Sequence, residues 1–285
     1  EPIFLSTTTR RSWFADVTAD GQGRVHVVWD SYTTPRSLDE ESRNLTMYAV
    51  QMPDGTWLEP NDIATGMGTE VSRPAITADR SGLLHMALRP SSAVRYSQAD
   101  SDDAYSAQAW RDYPRRLSGS FLTYLPAIAV DSRGGIHVVW SEQVPVDLSE
   151  EEVLRGRRSP YLSDIFYRRS ADGGATWSEP LNLSRTPAVG SDRVQIRVDA
   201  QDGIHVTWDE GWDRNAQDDG AGASAVCGMY VHSTDGGRTW STSRVIDTPQ
   251  AISEPLLDAF SGYEAGLRQL LNQMDRDHPR YSEAL

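Results

Sequence analysis

The chain has 285 residues, 38% of them hydrophobic, and a formal net charge of −14. That length holds one large domain or two, the acidic balance excludes a nucleic-acid backbone as partner, and no run of about 18 apolar residues offers a membrane-spanning helix. The single cysteine, Cys227, excludes an internal disulfide framework and, with no histidine context around it, reads as a small packing residue.

In chain order, Glu1-Pro-Ile-Phe-Leu-Ser6 matches Glu179-Pro-Leu-Asn-Leu-Ser184, so residues 1–6 are expected to form the outer strand of a repeat whose other strands are not contiguous with it. From residue 13 one phrase then recurs four times: Asp16 to Trp29, Ala75 to Leu88, Ala127 to Trp140 and Gln195 to Trp208. Each is a short alternating run, an Asp- and Gly-bearing turn, and a second alternating run ending in His-x-x-Trp or its variant, which predicts an antiparallel hairpin. A third strand is expected at 45–50, 93–97, 164–169 and 228–232. Next comes Ser170-Ala-Asp-Gly-Gly-Ala-Thr-Trp177, repeated as Ser233-Thr-Asp-Gly-Gly-Arg-Thr-Trp240. Asp-Gly-Gly is a turn sequence: glycine accepts positive φ, and the Asp or Ser side chain can bond nearby N–H groups. Degraded copies precede Trp57 and Trp110, and a fourth strand should follow each copy. A repeat of this period, four strands long, is one propeller blade; four blades are expected at about 13–60, 73–117, 125–184 and 193–248.

Beyond them, Ser253-Glu-Pro-Leu-Leu-Asp258 resembles Ser72 to Thr77 and could open a fifth blade or a first helical turn. Leu256, Leu257, Phe260, Leu267, Leu270, Leu271 and Met274 then recur at the three- and four-residue steps of an amphipathic helix. The expected organisation is a propeller over 1–252 and a helical segment or linker over 253–285, either an excerpt of a longer multidomain polypeptide with flanking domains or a degenerate propeller capped by a helix.

The pattern S-x-D-x-G-x-T-W at 170–177 and 233–240 resembles the Asp-box, or BNR repeat, of the sialidase-like β-propellers, and the resemblance extends over about residues 1–250. It implies an all-β fold of four-stranded antiparallel blades, with the box in the turn between the third and fourth strands and away from the active site. Family members hold the substrate carboxylate with three arginines, one in an Arg-Ile-Pro motif, and use a Tyr-Glu pair and an Asp. Arg-Ile-Pro is absent here. Arg73-Pro-Ala and Arg193-Val-Gln stand at the corresponding place before first strands, and Arg197 lies inside one, so these three are the candidate ligand-binding arginines for an anionic group.

Four histidines, His26, His85, His137 and His205, share one position of the second strand. Equivalent positions of successive blades diverge, so a structural bond to a neighbouring strand or turn is expected rather than a metal, and no cofactor motif occurs. Trp29, Trp140, Trp208, Trp57, Trp110, Trp177 and Trp240 occupy repeat positions, which leaves Trp13 and Trp212 outside them; Trp212 is the candidate for stacking on a sugar.

The loops joining second to third strands are long at 30–44, 141–163 and 209–227 and short at 89–92. They carry Asp30, Glu142, Asp209 and Glu210 directly after second strands, and a basic cluster of Arg155, Arg157 and Arg158. Paired carboxyls are what glycoside hydrolysis requires, which makes these four, with Tyr124, the catalytic candidates against the alternative of a solvated acidic rim. The oxygen-rich run 213–224 lacks the spacing of an EF-hand loop. Two functions follow: a non-catalytic recognition propeller binding a glycan or protein through its long-loop face, or a sialidase-like glycoside hydrolase acting on an anionic sugar.

Overall fold

The computed structural model of the protein describes residues 4–6, 11–32, 44–64, 71–110, 115–119, 122–145, 161–186, 190–211 and 227–247. The first sheet runs β1 (Arg11–Ala19), β2 (Val25–Tyr32), β3 (Asn44–Gln51) and β4 (Asn61–Asp62), hydrogen-bonded in that order. The second holds β5 (Val71–Ala78), β6 (Leu83–Pro90), β7 (Arg95–Asp100) and β8 (Arg115–Arg116), with a short 3-10 helix at Ala107–Trp110 between its third and fourth strands. The third is β9 (Thr123–Val130), β10 (Ile136–Pro145), β11 (Tyr161–Ser170) and β12 (Leu181–Asn182); the fourth is β13 (Ser191–Val198), β14 (Ile204–Glu210), β15 (Cys227–Ser233) and β16 (Arg244–Asp247). Four antiparallel four-stranded sheets in unbroken sequence order make this an all-β, four-blade propeller. Phe4 to Ser6 lie outside the four sheets, and the expected fifth-blade strand and C-terminal helix fall outside the described residues.

Contacts divide the chain into two compact units, one of Glu1–Trp140 with Arg168–Pro180, the other of Ser141–Tyr167 with Leu181–Leu285. In the first, Val28, Tyr48, Val50 and Ile63 of one blade form a single cluster with Ile76, Leu84, Met86, Leu88 and Trp110 of the next. Blade 1 thus meets blade 2 through one face of its sheet, its back, and blade 2 meets blade 1 through the opposite face, its front. Polar groups lock the same junction: Asp16 Oδ2 accepts from the Ile76 N–H at 2.8 Å and Thr18 Oγ1 from the Ala78 N–H at 3.1 Å.

The repeated histidines have the structural task their register implied. His26 Nε2 lies 3.2 Å from Asp20 in the preceding turn and its Nδ1 2.6 Å from Tyr48 Oη on the next strand. His205 repeats this with Asp199 and Tyr230 at 2.9 and 2.7 Å, and His85 bonds Tyr96 at 2.6 Å. Burial pushes His26 and His85 below the usual imidazole range, so both are neutral at pH 7.

The Asp-Gly-Gly turns close as their chemistry predicts: Ser170 Oγ accepts from the Gly174 N–H at 2.8 Å, and Asp172 accepts from the Thr176 N–H at 2.8 Å. Their second glycine has a packing reason as well. A Cβ on Gly174 would collide with the Tyr96 ring of the preceding blade, and one on Gly237 with Tyr167. The tryptophans that follow these turns then cover these tyrosines edge-on, Trp177 on Tyr96 at 5.1 Å and Trp240 on Tyr167 at 4.8 Å between centroids. Blade 2 lacks the glycines, yet its Trp110 still reaches Tyr48 at 6.5 Å, because the 3-10 turn carries it there.

Candidate functional site

A kink common to the inner strands builds the site. Six residues before each turn aspartate stands a non-glycine residue with positive φ: Phe14 at 52°, Arg73 at 59°, Leu125 at 39° and Arg193 at 55°. A left-handed non-glycine residue costs on the order of 1 kcal/mol or more, so its return in every blade marks a constraint of the repeat. The ladders β1–β2, β5–β6 and β13–β14 shift register at this point, a bulge that re-aims the side chain.

In the first unit the kinks bring one cluster together. The Arg73 guanidinium lies over the Phe14 ring at 4.9 Å and over the Tyr124 ring at 5.2 Å, and Arg89 approaches Tyr124 at 5.9 Å. Three successive blades contribute: Phe14 from β1, Arg73 and Arg89 from β5 and β6, Tyr124 from β9. The short second loop holds Tyr124 in place, since Thr123 donates to Ser92 O from both its N–H, at 3.1 Å, and its hydroxyl, at 2.8 Å. Asp30 is buried beneath the cluster, and its two oxygens accept from the Arg73 N–H at 2.7 and 2.9 Å. Burial pushes its carboxyl up to about 7, against the opposing pull of the Arg73 N–H and of the Arg73 and Arg89 charges.

The second unit holds two groups of carboxyls. Asp209 forms an ion pair with Arg193 at 3.6 Å, both partly exposed, and burial with the neighbouring Asp192 charge raises its carboxyl despite that arginine. Glu210 is fully buried; it accepts from the Ser191 hydroxyl at 2.8 Å and the Trp208 indole N–H at 2.6 Å. Asp164 stands in the same hydroxyl network, accepting from Asn182 at 2.7 Å and Ser184 at 3.0 Å, with Thr186 linking its side to Ser191. Burial raises both acids, Glu210 to about 7, and the Asp164 charge adds to the shift of Glu210. Glu142 is buried at the loop end of β10.

The sequence candidates therefore sort by place. Asp30, Arg73 and Tyr124 meet, while Arg193 and Asp209 pair with each other. Arg197 is exposed four residues further along β13, roughly 13 Å from Arg193 by strand rise, and donates to the Ile196 carbonyl at 2.7 Å. Those two do not close on one small anion. Trp212 and the Arg155, Arg157 and Arg158 cluster lie outside the described residues. Phe14, Arg89 and Asp164 were not singled out from sequence. Arg89 was findable, because it occupies in blade 2 the position of Asp30 and Asp209. Among the described residues no group of three or more His, Cys, Asp or Glu could hold a metal ion, and no helix is long and apolar enough to cross a membrane.

No family profile and no curated protein matches the sequence. Solved structures of similar fold include a protein of unknown function from Dyadobacter fermentans, with a TM-score of 0.59, 13% identity, and 83% of this chain and 69% of that one covered. An ulvan lyase bound to a GlcA–Rha3S unit aligns with a TM-score of 0.53 at 14% identity, over 82% of this chain and 57% of its own. The α-L-arabinanase of Penicillium chrysogenum complexed with arabinobiose aligns with a TM-score of 0.54 at 13% identity, over 79% and 63%. The chain spans less than two thirds of these last two, and at such identities the likeness is one of fold.

Proposed function

We propose that this propeller recognises a glycan bearing an acidic group, without cleaving it, through the loop-end surface that contains Arg73, Arg89, Tyr124 and Phe14. The observation that carries the reading is the guanidinium of Arg73 set between two aromatic rings, with a second guanidinium beside it. Aromatic faces accept the C–H face of a sugar, and planar guanidinium groups suit carboxylate or sulfate. Two propellers of similar fold were solved with oligosaccharides, one of them acidic. The absence of catalysis is supported by what the carboxyls do. Both oxygens of Asp30 serve the kinked Arg73 N–H, Glu210 and Asp164 are buried in hydroxyl networks, and Asp209 pairs with Arg193. Hydrolysis by the common two-carboxyl route needs two carboxyls facing one sugar.

The second reading, a sialidase-like hydrolase acting on an anionic sugar, draws support from two carboxyls held near 7, Asp30 and Glu210, a value suited to a general acid. Calorimetric titration with uronate-containing, sulfated, sialylated and neutral oligosaccharides, run beside a fluorogenic glycoside panel, tests both. Binding of acidic glycans that Tyr124→Ala weakens about tenfold, the worth of one stacking contact, with no turnover, is the expected result. Turnover that Asp30→Asn abolishes would replace recognition by hydrolysis, and equal affinity for neutral and acidic glycans would remove the arginines from the argument.

A further inference from the structure

One acid underlies the loop-end site, and its surroundings suit two protonation states. Asp30 on β2 is buried below the Arg73 and Arg89 guanidiniums, yet among the described residues it makes a salt bridge to neither: both of its oxygens accept from the Arg73 backbone N–H, at 2.7 and 2.9 Å. Asp209, its counterpart in blade 4, does the reverse, being partly exposed and paired with the Arg193 guanidinium at 3.6 Å. Directly across the ladder from Asp30, on β3, stands Thr46. Such cross-strand neighbours share a face with Cβ atoms about 5 Å apart, and the Thr46 hydroxyl is buried with no hydrogen-bond partner among the described residues. A hydroxyl both donates and accepts, so after a small side-chain rotation it can donate to an Asp30 carboxylate or accept the proton of an Asp30 acid. The charged groups that act on Asp30 are Arg73 from β5 and Arg89 from β6. Its ladder neighbour on β1, Trp13, carries no charge, and Tyr124 of β9 faces the same guanidiniums with a phenol ring.

We propose that Asp30 sets the charge of this glycan site: as a neutral acid it lets both guanidiniums act on the anionic group of the ligand, and as a carboxylate it competes with that group, so that acidic glycans are held in mildly acidic medium and released in alkaline medium. The inference rests on the recognition reading above and adds the condition under which that site binds. Burial pushes the Asp30 carboxyl up to about 7 while the Arg73 N–H and the two guanidiniums pull it down, so the unliganded site exchanges its proton between about pH 6 and 8. With the proton on, the two arginines leave the site with two positive charges; with it off, Asp30 cancels one. A bound carboxylate or sulfate raises the proton affinity of Asp30 further, and by linkage the proton raises the affinity for the anion by the same factor. One like charge roughly 6 Å from the anion, in surroundings intermediate between protein and water, changes that affinity about tenfold.

Calorimetric titration of the full chain at pH 5.5 and pH 8.5 tests this, with the tightest-binding sulfated or uronate oligosaccharide, whose own anion stays ionised throughout. The wild type binds about tenfold more tightly at pH 5.5. Titrations at pH 7.5 in two buffers of different ionisation enthalpy show uptake of about half a proton per ligand bound, the difference between an unliganded carboxyl at about 7 and a liganded one at about 8. Asp30→Asn, which cannot ionise, binds equally at both pH values and takes up no proton. The uptake is read on the wild type, so it decides the matter whether or not the variant folds. A wild type with one affinity at both pH values and no proton uptake, or a pH dependence that Asp30→Asn retains, overturns the control by Asp30 and leaves the recognition reading standing. No binding of any acidic oligosaccharide at either pH overturns both.

Discussion

Glu210→Gln is the sharpest probe of the buried acids. The glutamate is fully buried, and its Oε2 takes the Ser191 and Trp208 hydrogen bonds while Oε1 has no partner among the described residues. Its carboxyl titrates at about 7 in the folded chain against an ordinary value of 4.5. The raised value means the folded state binds the proton more tightly. The stabilisation is therefore full below about pH 4.5 and is lost as pH rises through 7. A difference of that size corresponds to on the order of 3 kcal/mol at pH well above 7. Glutamine keeps an acceptor for Ser191 and Trp208 and carries no charge, but places an amide donor where Oε1 stood, at about 1–2 kcal/mol at every pH. Urea unfolding of both proteins at pH 5 and pH 8 should show the variant gaining roughly 2–3 kcal/mol relative to wild type between the two. Comparing the two proteins at each pH cancels the opposite contribution of His26 and His85, whose lowered values make stability fall as pH drops below about 6.5. A relative change near zero, or a variant hurt more at pH 8 than at pH 5, would refute the assignment of a protonated buried acid.

Three further outcomes follow from named contacts. Gly237→Ala should lower the unfolding free energy by several kcal/mol, because its Cβ overlaps Tyr167, whereas Gly55→Ala, with nothing within 4 Å and only its φ of 88° to strain, should cost about 1 kcal/mol by thermal melting. Asp30→Ala leaves the Arg73 N–H without its acceptor and should cost roughly 1–3 kcal/mol, while Asp30→Asn retains one acceptor and should cost less than half of that in denaturant titrations. Trp177→Leu uncovers Tyr96 and should destabilise by about 1–3 kcal/mol. If the substitution is neutral, the edge-on contact contributes nothing beyond apolar cover.

The hairpins, the Asp-Gly-Gly turns and the structural bonds of the repeated histidines were legible because each depends on residues close in sequence. Asp20, His26 and Tyr48 recur at spacings that local strand geometry converts directly into contacts. The bulge residue is half legible: Arg73 and Arg193 stand out by their position before first strands, but the positive φ that unites them with Phe14 and Leu125 has no compositional signature, since none is a glycine. Asp164 gave no signal at all, because its raised carboxyl follows from burial beside Ser184, Thr186 and Glu210, which a linear reading does not bring together.

By itself, then, the sequence determined the repeating unit: period-two alternation and Asp-Gly punctuation specify a four-stranded blade whatever stands beside it. Tertiary structure alone decided which of the repeated residues are covered. Val17 and Ile196 are the same letter of the repeat, as are His26 and His205, yet one of each pair is buried and the other exposed. Burial, desolvation and hence proton affinity depend on what packs against a blade, which the repeat does not encode.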